Sequence, residues 1–393
     1  MAKINTNQGE KEAEATVRKT KTGKYYDLSK SSLVKKGIKR LTHVQLIDSF
    51  KKLRLRFTLT PKCNLWCIFC SNEGSNYSAK SYNHANIDLV IKLSEMLLKT
   101  TPLKSIDFSG GEPTIHPDFK ERKFKLIKWT KKYPHIRFSL HSNGIELEPE
   151  IIDEIKDNFS RIGISVHSLN FKTWNKITNL NTKFTLKLQR EKFKKLIYNL
   201  EYIANQNIGN KIFLKSVVIR GINDSEKELN SFLEACNKYQ FHPKFLEFEP
   251  QYSEQRKYIV GRKELFKKLE KIGCKFTSNV PKHNNPDIYI PGVNFIYKNA
   301  PCGLHSIFGC GLKATCKSCY DFLCIFVKPY KDSNGLYLKP CSVLDTRIDL
   351  THAINTQNYS QLLDLFRVSR EYLMLAPGLG ISGWNKEPEF KYY

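Results

Sequence analysis

The sequence predicts an α/β fold, a partial (βα)6 barrel over residues 43–272 with a small second domain over 273–393. Three observations carry this. Between residues 53 and 250, short apolar runs that read as strands alternate with stretches of helical spacing. The predicted strands end in residues suited to ligands, namely a cysteine-rich loop, Gly110-Gly111, Ser142-Asn143-Gly144 and His167-Ser168. In parallel sheets such strand ends converge on one mouth. After residue 273, Cys, Pro and Gly become frequent and periodicity fades, which predicts a domain organised by metal.

Residues 1–42 carry little apolar content and read as a flexible basic tail. Strands are expected at 53–59 (LRLRFTL), 105–108, 136–140, 162–166, 212–219 and 245–248. Helices are expected at 87–98, 119–132, 150–158, 192–204, 224–239 and 264–271, with Asp224 or Asn223 as the N-cap of the fifth. Six strands joined by helices imply right-handed parallel crossovers.

Sixty-four Lys and Arg against 38 Asp and Glu give a net charge of +26. Such a charge favours acidic partners, from nucleotides to nucleic acid. No groove-reading motif accompanies it, and lysine is spread along the whole chain, so solvated faces explain most of it. Residues 1–30 lack the apolar core of a signal peptide, and no apolar run approaches a membrane span. These features predict a cytoplasmic protein with no membrane contact. There, clustered cysteines read as metal ligands rather than disulfides, and the odd count of 11 argues against complete pairing.

Cys63, Cys67 and Cys70 are spaced by three residues, then two, in a loop after the first strand. Such a loop can hold three corners of a [4Fe–4S] cubane and leave one iron open to a small molecule. Three plainer readings compete: a zinc site, a ferredoxin-type cluster and buried free cysteines. Zinc knuckles pair C-x-x-C with a second pair, and ferredoxin runs use two-residue gaps, so the spacing favours an open cluster.

Cys-x3-Cys-x-aromatic-Cys, with Phe69 in the aromatic position, resembles the signature of radical S-adenosylmethionine (SAM) enzymes. The resemblance implies SAM bound to the open iron, reductive cleavage to a 5′-deoxyadenosyl radical, and hydrogen abstraction from a substrate. Ser109-Gly110-Gly111-Glu112-Pro113 resembles the family's glycine-rich motif beside the SAM amino group. Ser142-Asn143-Gly144 resembles its Thr-Asn-Gly segment, and Ser165 matches the serine that contacts SAM. The nearby His167 reads as a satisfied structural histidine.

Over roughly residues 46–345 the chain is most similar to the GTP 3′,8-cyclases of molybdenum-cofactor biosynthesis. Cys316, Cys319 and Cys341 resemble that family's ligands to an auxiliary [4Fe–4S] cluster near the substrate. This implies an auxiliary-cluster domain at the C-terminal end. Cys302, Cys310 or Cys324 would be a fourth ligand, or there is none; zinc is the plainer alternative. Arg56 matches a cyclase arginine that binds GTP. Other cationic positions do not match: Asp107, His116, Phe213 and Asp321-Phe322-Leu323 stand where basic residues are expected. A triphosphate needs several fixed cations, which argues for a different substrate.

The expected function is therefore a radical SAM enzyme acting on an unidentified small molecule or peptide, reduced by a donor such as flavodoxin or ferredoxin. The alternatives are a GTP 3′,8-cyclase, a radical SAM tRNA-modifying enzyme and, outside enzymes, a metal-stabilised nucleic-acid-binding protein.

Overall fold

The computed structural model describes residues 17–20, 23–26, 41–70, 83–248, 250, 253–277, 293–298, 300–305, 324–329, 335–340 and 347–375. From residue 43 the chain runs α1 (His43–Ser49), β1 (Arg54–Thr58), α2 (Ile87–Thr100) and β2 (Ser105–Ser109). Then come α3 (Pro117–Lys120), α4 (Lys125–Thr130), β3 (Arg137–Ser142), α5 (Pro149–Ile155) and β4 (Phe159–Ser165). Next are α6 (Phe171–Thr178), α7 (Leu186–Ala204), β5 (Ile212–Val218), α8 (Glu226–Tyr239), β6 (His242–Glu247) and α9 (Arg262–Lys271). Beyond them lie β7 (Lys275–Phe276), β8 (Val293–Tyr297), β9 (Ala300–His305), β10 (Cys324–Pro329), β11 (Leu336–Lys339) and β12 (Ile348–Asp349). Helices α10 (Thr351–Asn355) and α11 (Tyr359–Leu375) follow.

The α/β class and the six strands stand where the periodicity put them, but several boundaries differ for local reasons. The helix expected at 119–132 is broken into α3 and α4. Arg122 and Phe124 take positive φ at the break, and the buried Asp118 carboxylate caps the new start by accepting from Lys125 and Leu126 N–H at 2.9 and 3.1 Å. Helix α8 is capped by Ser225, not by Asp224 or Asn223. Asp224 instead accepts from Gly221 N–H and pairs with Lys268 at 2.8 Å. Asn223 crosslinks its own turn, accepting from Ile219 N–H and donating to the His167 and Val217 carbonyls. Among residues 17–26, in the segment read as a tail, Val17–Thr20 and Gly23–Tyr26 pair as an antiparallel hairpin.

Two compact units are drawn from the chain. One comprises 1–57, 85–105 and 310–392. In it β10 runs parallel to β1, and β11 and β12 add antiparallel strands. Phe50 meets Phe366 of α11 at 5.7 Å, and Leu41 N–H donates to the buried Glu371 carboxylate at 2.9 Å.

The other unit comprises 58–84 and 106–309. Its strand order is β2-β3-β4-β5-β6-β9-β8-β7. Pairs β3–β4, β4–β5, β5–β6 and β6–β9 are parallel, whereas β8 is antiparallel to both neighbours. Alternate side chains point to opposite faces of a strand. One face is apolar: Phe108, Phe138 and Phe159 touch one another, Trp129 of α4 meets Phe138 at 5.7 Å, and Phe232 of α8 meets Phe245 at 5.3 Å. The opposite face carries Asp107, His141, Gly163 and Lys215 on successive strands β2 to β5. Among the described residues, no helix is long and apolar enough to cross a membrane.

Candidate functional site

The cysteine loop lies in this second unit and is tied down on both sides. Trp66 N–H donates to the Thr178 carbonyl, Leu180 N–H to Trp66, and Ile68 N–H to Ile177, at 2.8–2.9 Å. The loop thus forms a parallel bridge with the end of α6. Between the cysteines, Ile68 packs into a cluster with Ile177, Val217, Ile219 and Phe248, with Phe69 against it. These apolar anchors lie between half-buried thiols and add to the backbone hydrogen bonds that fix the loop.

Phe69 is backed by His167, ring centroids 4.5 Å apart. His167 is buried, takes φ +66°, and accepts from Val217 N–H through Nδ1 at 3.1 Å. Burial, with the Lys215 charge adding, pushes its pKa down to about 3. It is the satisfied structural histidine that the sequence suggested. This has a pH consequence. The unfolded imidazole, near 6.5, binds a proton more readily than the folded one. The stability contribution of neutral His167 is complete above about 6.5 and is lost as pH falls toward 3. The unfolding temperature should drop across that window. His167→Gln should shrink the drop and leave the share of His84, which burial pushes down to about 4.

The Ser-Gly-Gly-Glu-Pro segment runs beside the residues just before Cys63. Gly111 N–H donates to the Thr60 carbonyl at 2.6 Å and Glu112 N–H to Lys62 at 2.8 Å. A Cβ at Gly110 would lie 2.4 Å from the Thr60 carbonyl oxygen, and one at Gly111 2.2 Å from that of Lys62. Only glycine permits this approach. Pro113 then starts a short 3-10 turn, Pro113–Ile115.

Glu112 is fully buried and joins the segments. Its Oε1 accepts from Thr114 N–H, Thr114 Oγ1 and Ser142 Oγ at 3.1, 2.6 and 2.8 Å; its Oε2 accepts from Asn143 N–H at 2.6 Å. Burial raises its pKa, and the four donors oppose that rise. Asn143 carries the link back to the cysteines, donating to Asn64 Oδ1 at 2.6 Å and lying 3.8 Å from Cys63 Sγ. Gly144 follows at φ +82°, where a Cβ would strike Ile164 and Leu196 at 2.7 Å. Ser165 is half-buried at the end of β4, and its hydroxyl has no hydrogen-bond partner among the described residues.

Burial pushes the Cys63 thiol up to about 12, with Glu112 and Cys70 adding. Cys67 shifts the same way, through burial and then Cys70 and Cys63. The three thiols oppose one another's ionisation; as the side chains stand, no three His, Cys, Asp or Glu among the described residues are gathered as a metal site. Cysteine thiolates are the donor type that iron–sulfur clusters use.

Some contributors had no signal in the sequence. Lys192 of α7 donates to the Asn64 carbonyl at 2.6 Å across 128 residues, and Lys195 bridges Glu146 and Glu148 at 2.6 and 2.7 Å. His116 is buried and caps α3 by accepting from Asp118 N–H at 3.1 Å. Arg56 belongs to the first unit, with its guanidinium 5.9 Å from the Phe326 ring centre. Cys316, Cys319, Cys341 and Cys310 lie outside the described residues. The Cys302 and Cys324 backbones lie in β9 and β10.

The chain is similar in sequence to known proteins. The chain is 30% identical over 184 residues to the probable GTP 3′,8-cyclase of Pyrococcus abyssi, covering 46% of this chain and 53% of that protein. It is 27% identical over 209 residues to the GTP 3′,8-cyclase of Clostridium acetobutylicum, covering 53% and 60%. It thus spans just over half the length of these two relatives. Among solved structures, Streptococcus suis SuiB bound to S-adenosylmethionine aligns with a TM-score of 0.49 at 12% identity, covering 78% of this chain and 65% of that one. Residues 57–233 of this chain match the radical SAM superfamily.

Proposed function

We propose that the protein is a radical SAM enzyme whose substrate is not GTP. The observation that carries the reading is the network through Glu112 and Asn143. It joins the glycine-rich segment and the Ser142-Asn143-Gly144 turn to the loop of Cys63, Cys67 and Cys70. Those three cysteines would hold a [4Fe–4S] cluster, with Phe69, Gly110, Gly111, Glu112, Pro113, Ser142, Asn143 and Ser165 forming the SAM site. The bound cluster and SAM supply the chemistry, reductive cleavage to a 5′-deoxyadenosyl radical that abstracts hydrogen from substrate. The chain's own part is to orient and shield. Glu112 and Asn143 set the turns, Phe69 and Ile68 cover the loop, and the Ser165 hydroxyl offers a hydrogen bond.

Residues 43–272 would form the core and 273–393 an auxiliary-cluster domain ligated by Cys316, Cys319 and Cys341. The substrate would be a small molecule or peptide, and the reductant a cytoplasmic flavodoxin or ferredoxin. The relatives' names favour GTP, but two positions speak against it. Asp107 is buried beside His141 at 3.4 Å, and Phe213 is stacked between Arg161 and His242.

Anaerobic reconstitution with iron and sulfide tests the reading. About four irons per chain are expected from the first cluster, about eight if the auxiliary cluster forms. The reduced protein should convert SAM to 5′-deoxyadenosine. A protein that takes up only zinc, or a full cluster without cleavage, would sink the reading.

A further inference from the structure

The polar face of the second unit holds a chain of groups that the SAM site does not use. Lys215 of β5 does not extend straight from its strand. Its head lies across Gly163 of β4, where a Cβ would come 2.4 Å from both Cε and Nζ. Lys215 Nζ reaches His141 Nδ1 on β3 at 2.8 Å, and His141 Nε2 lies 3.4 Å from Asp107 Oδ2 on β2. An ammonium only donates, so Nδ1 accepts, the imidazole proton sits on Nε2, and Nε2 faces the carboxylate. Three strands therefore cooperate to set one ammonium, and the strand between β3 and β5 carries glycine to make room.

Register gives the level of this group. Ser165 stands opposite Lys215, and Gly163 opposite both His141 and Phe213. The ammonium, folded back over Gly163, thus lies one two-residue step, about 6.6 Å, below Ser165 on the same face. Lys244 stands directly opposite Lys215 on β6, placing a second lysine on that face. Level with Gly163, Phe213 stacks with His242 at 5.0 Å and carries the Arg161 guanidinium at 3.9 Å. Barrel interiors serving only stability are filled with branched apolar side chains. An Asp–His–Lys chain with a buried Asp107 and half-buried His141 and Lys215 is costly to desolvate and marks a functional surface.

We propose that Lys215 grips an oxyanion group of the substrate, a carboxylate or a phosphate, and that His141 and Asp107 are its positioning residues. The proposal deepens the radical SAM reading and rests on it, because Ser165 defines where SAM would lie above the site. It also places the cation at Lys215, two residues beyond Phe213, where the cyclase resemblance expected one, and gives Asp107 a positioning role in place of the expected basic residue.

The test is calorimetric titration of the full-length, anaerobically reconstituted protein with inorganic pyrophosphate and, separately, with glutarate. One probe should bind saturably at a single site, and which one does so names the source of the oxyanion. Lys215→Gln should weaken that binding about ten- to hundredfold, as expected for a lost hydrogen bond to a charged group. Lys215→Arg should recover most of it, and His141→Leu should weaken it less than Lys215→Gln. The exposed Lys227→Met should change nothing, which separates the site from the diffuse +26 charge. Thermal unfolding of each variant reports folding, and His141→Leu serves if Lys215→Gln does not fold. Equal binding by folded Lys215→Gln and wild type overturns the proposal, as does the absence of binding by either probe at millimolar concentration. A wild type with a full cluster and no binding overturns this proposal alone. A wild type that binds the probe through Lys215 but takes up no iron overturns the radical SAM reading and keeps the oxyanion site.

Discussion

Cys67→Ala is expected to abolish cluster assembly and SAM cleavage while leaving the fold intact. Cys67 sits between Trp66 and Ile68, whose backbones are bound to Thr178, Leu180 and Ile177, so the loop keeps its course without the thiol. The setting disfavours the thiolate, not the thiol. Burial and the neighbouring Cys70 and Cys63 push its pKa well up, so it stays a neutral thiol until a bound cation stabilises the thiolate. With two cysteines the cubane loses a corner ligand. Iron should fall from about four per chain to well below one for this site. Production of 5′-deoxyadenosine should fall by at least about 10³-fold, a loss of about 4 kcal/mol or more in transition-state stabilisation. Cys236→Ala, at a buried position on α8, is the control and should retain both properties. Retained iron and cleavage in Cys67→Ala would remove the loop from the chemistry.

Gly111→Ala should be the most damaging single methyl added near the site. Its Cβ would meet the Lys62 carbonyl oxygen at 2.2 Å, the Lys62 carbonyl carbon at 2.6 Å and the Pro61 oxygen at 2.7 Å. All three are backbone atoms, so no rotamer change relieves the clash. The chain must separate there, which breaks the Gly111-to-Thr60 and Glu112-to-Lys62 hydrogen bonds next to Cys63. Overpacking of this kind costs about 1–3 kcal/mol, and the lost bonds add about 1 kcal/mol each. Urea unfolding should register that loss, and iron uptake should fall with it. Gly221→Ala is the contrast. It has φ +70° with nothing within 4 Å, so only backbone strain of about 1 kcal/mol applies, without effect on iron. Equal behaviour of the two variants would show that the close approach at Gly111 is immaterial.

Much of the site was readable before any coordinates because its parts are local. The three-two cysteine spacing, the Gly-Gly at the end of β2 and the turn at 142–144 each occupy a few adjacent residues. Strand alternation placed them at neighbouring strand ends. What local pattern could not reach is how they are joined. Glu112 reads in sequence as one residue of a cofactor motif, yet four donors from Thr114, Ser142 and Asn143 converge on its carboxylate. Asp224 and Ser225 are both good N-caps, and the choice between them was decided by Lys268, 44 residues away, which takes Asp224. The break between α3 and α4 follows from the burial of Asp118, not from any glycine or proline at the break.

The sequence by itself determined the parallel α/β order and the position of the cysteine loop, because both follow from short-range spacing and strand periodicity. Only the tertiary structure decided that Lys215, His141 and Asp107 form one chain across Gly163. The reason is physical. Those four residues are separated by 22 to 108 positions, and each alone is an ordinary polar or small residue in a strand. Their chemistry exists only where parallel register brings one face of four strands together.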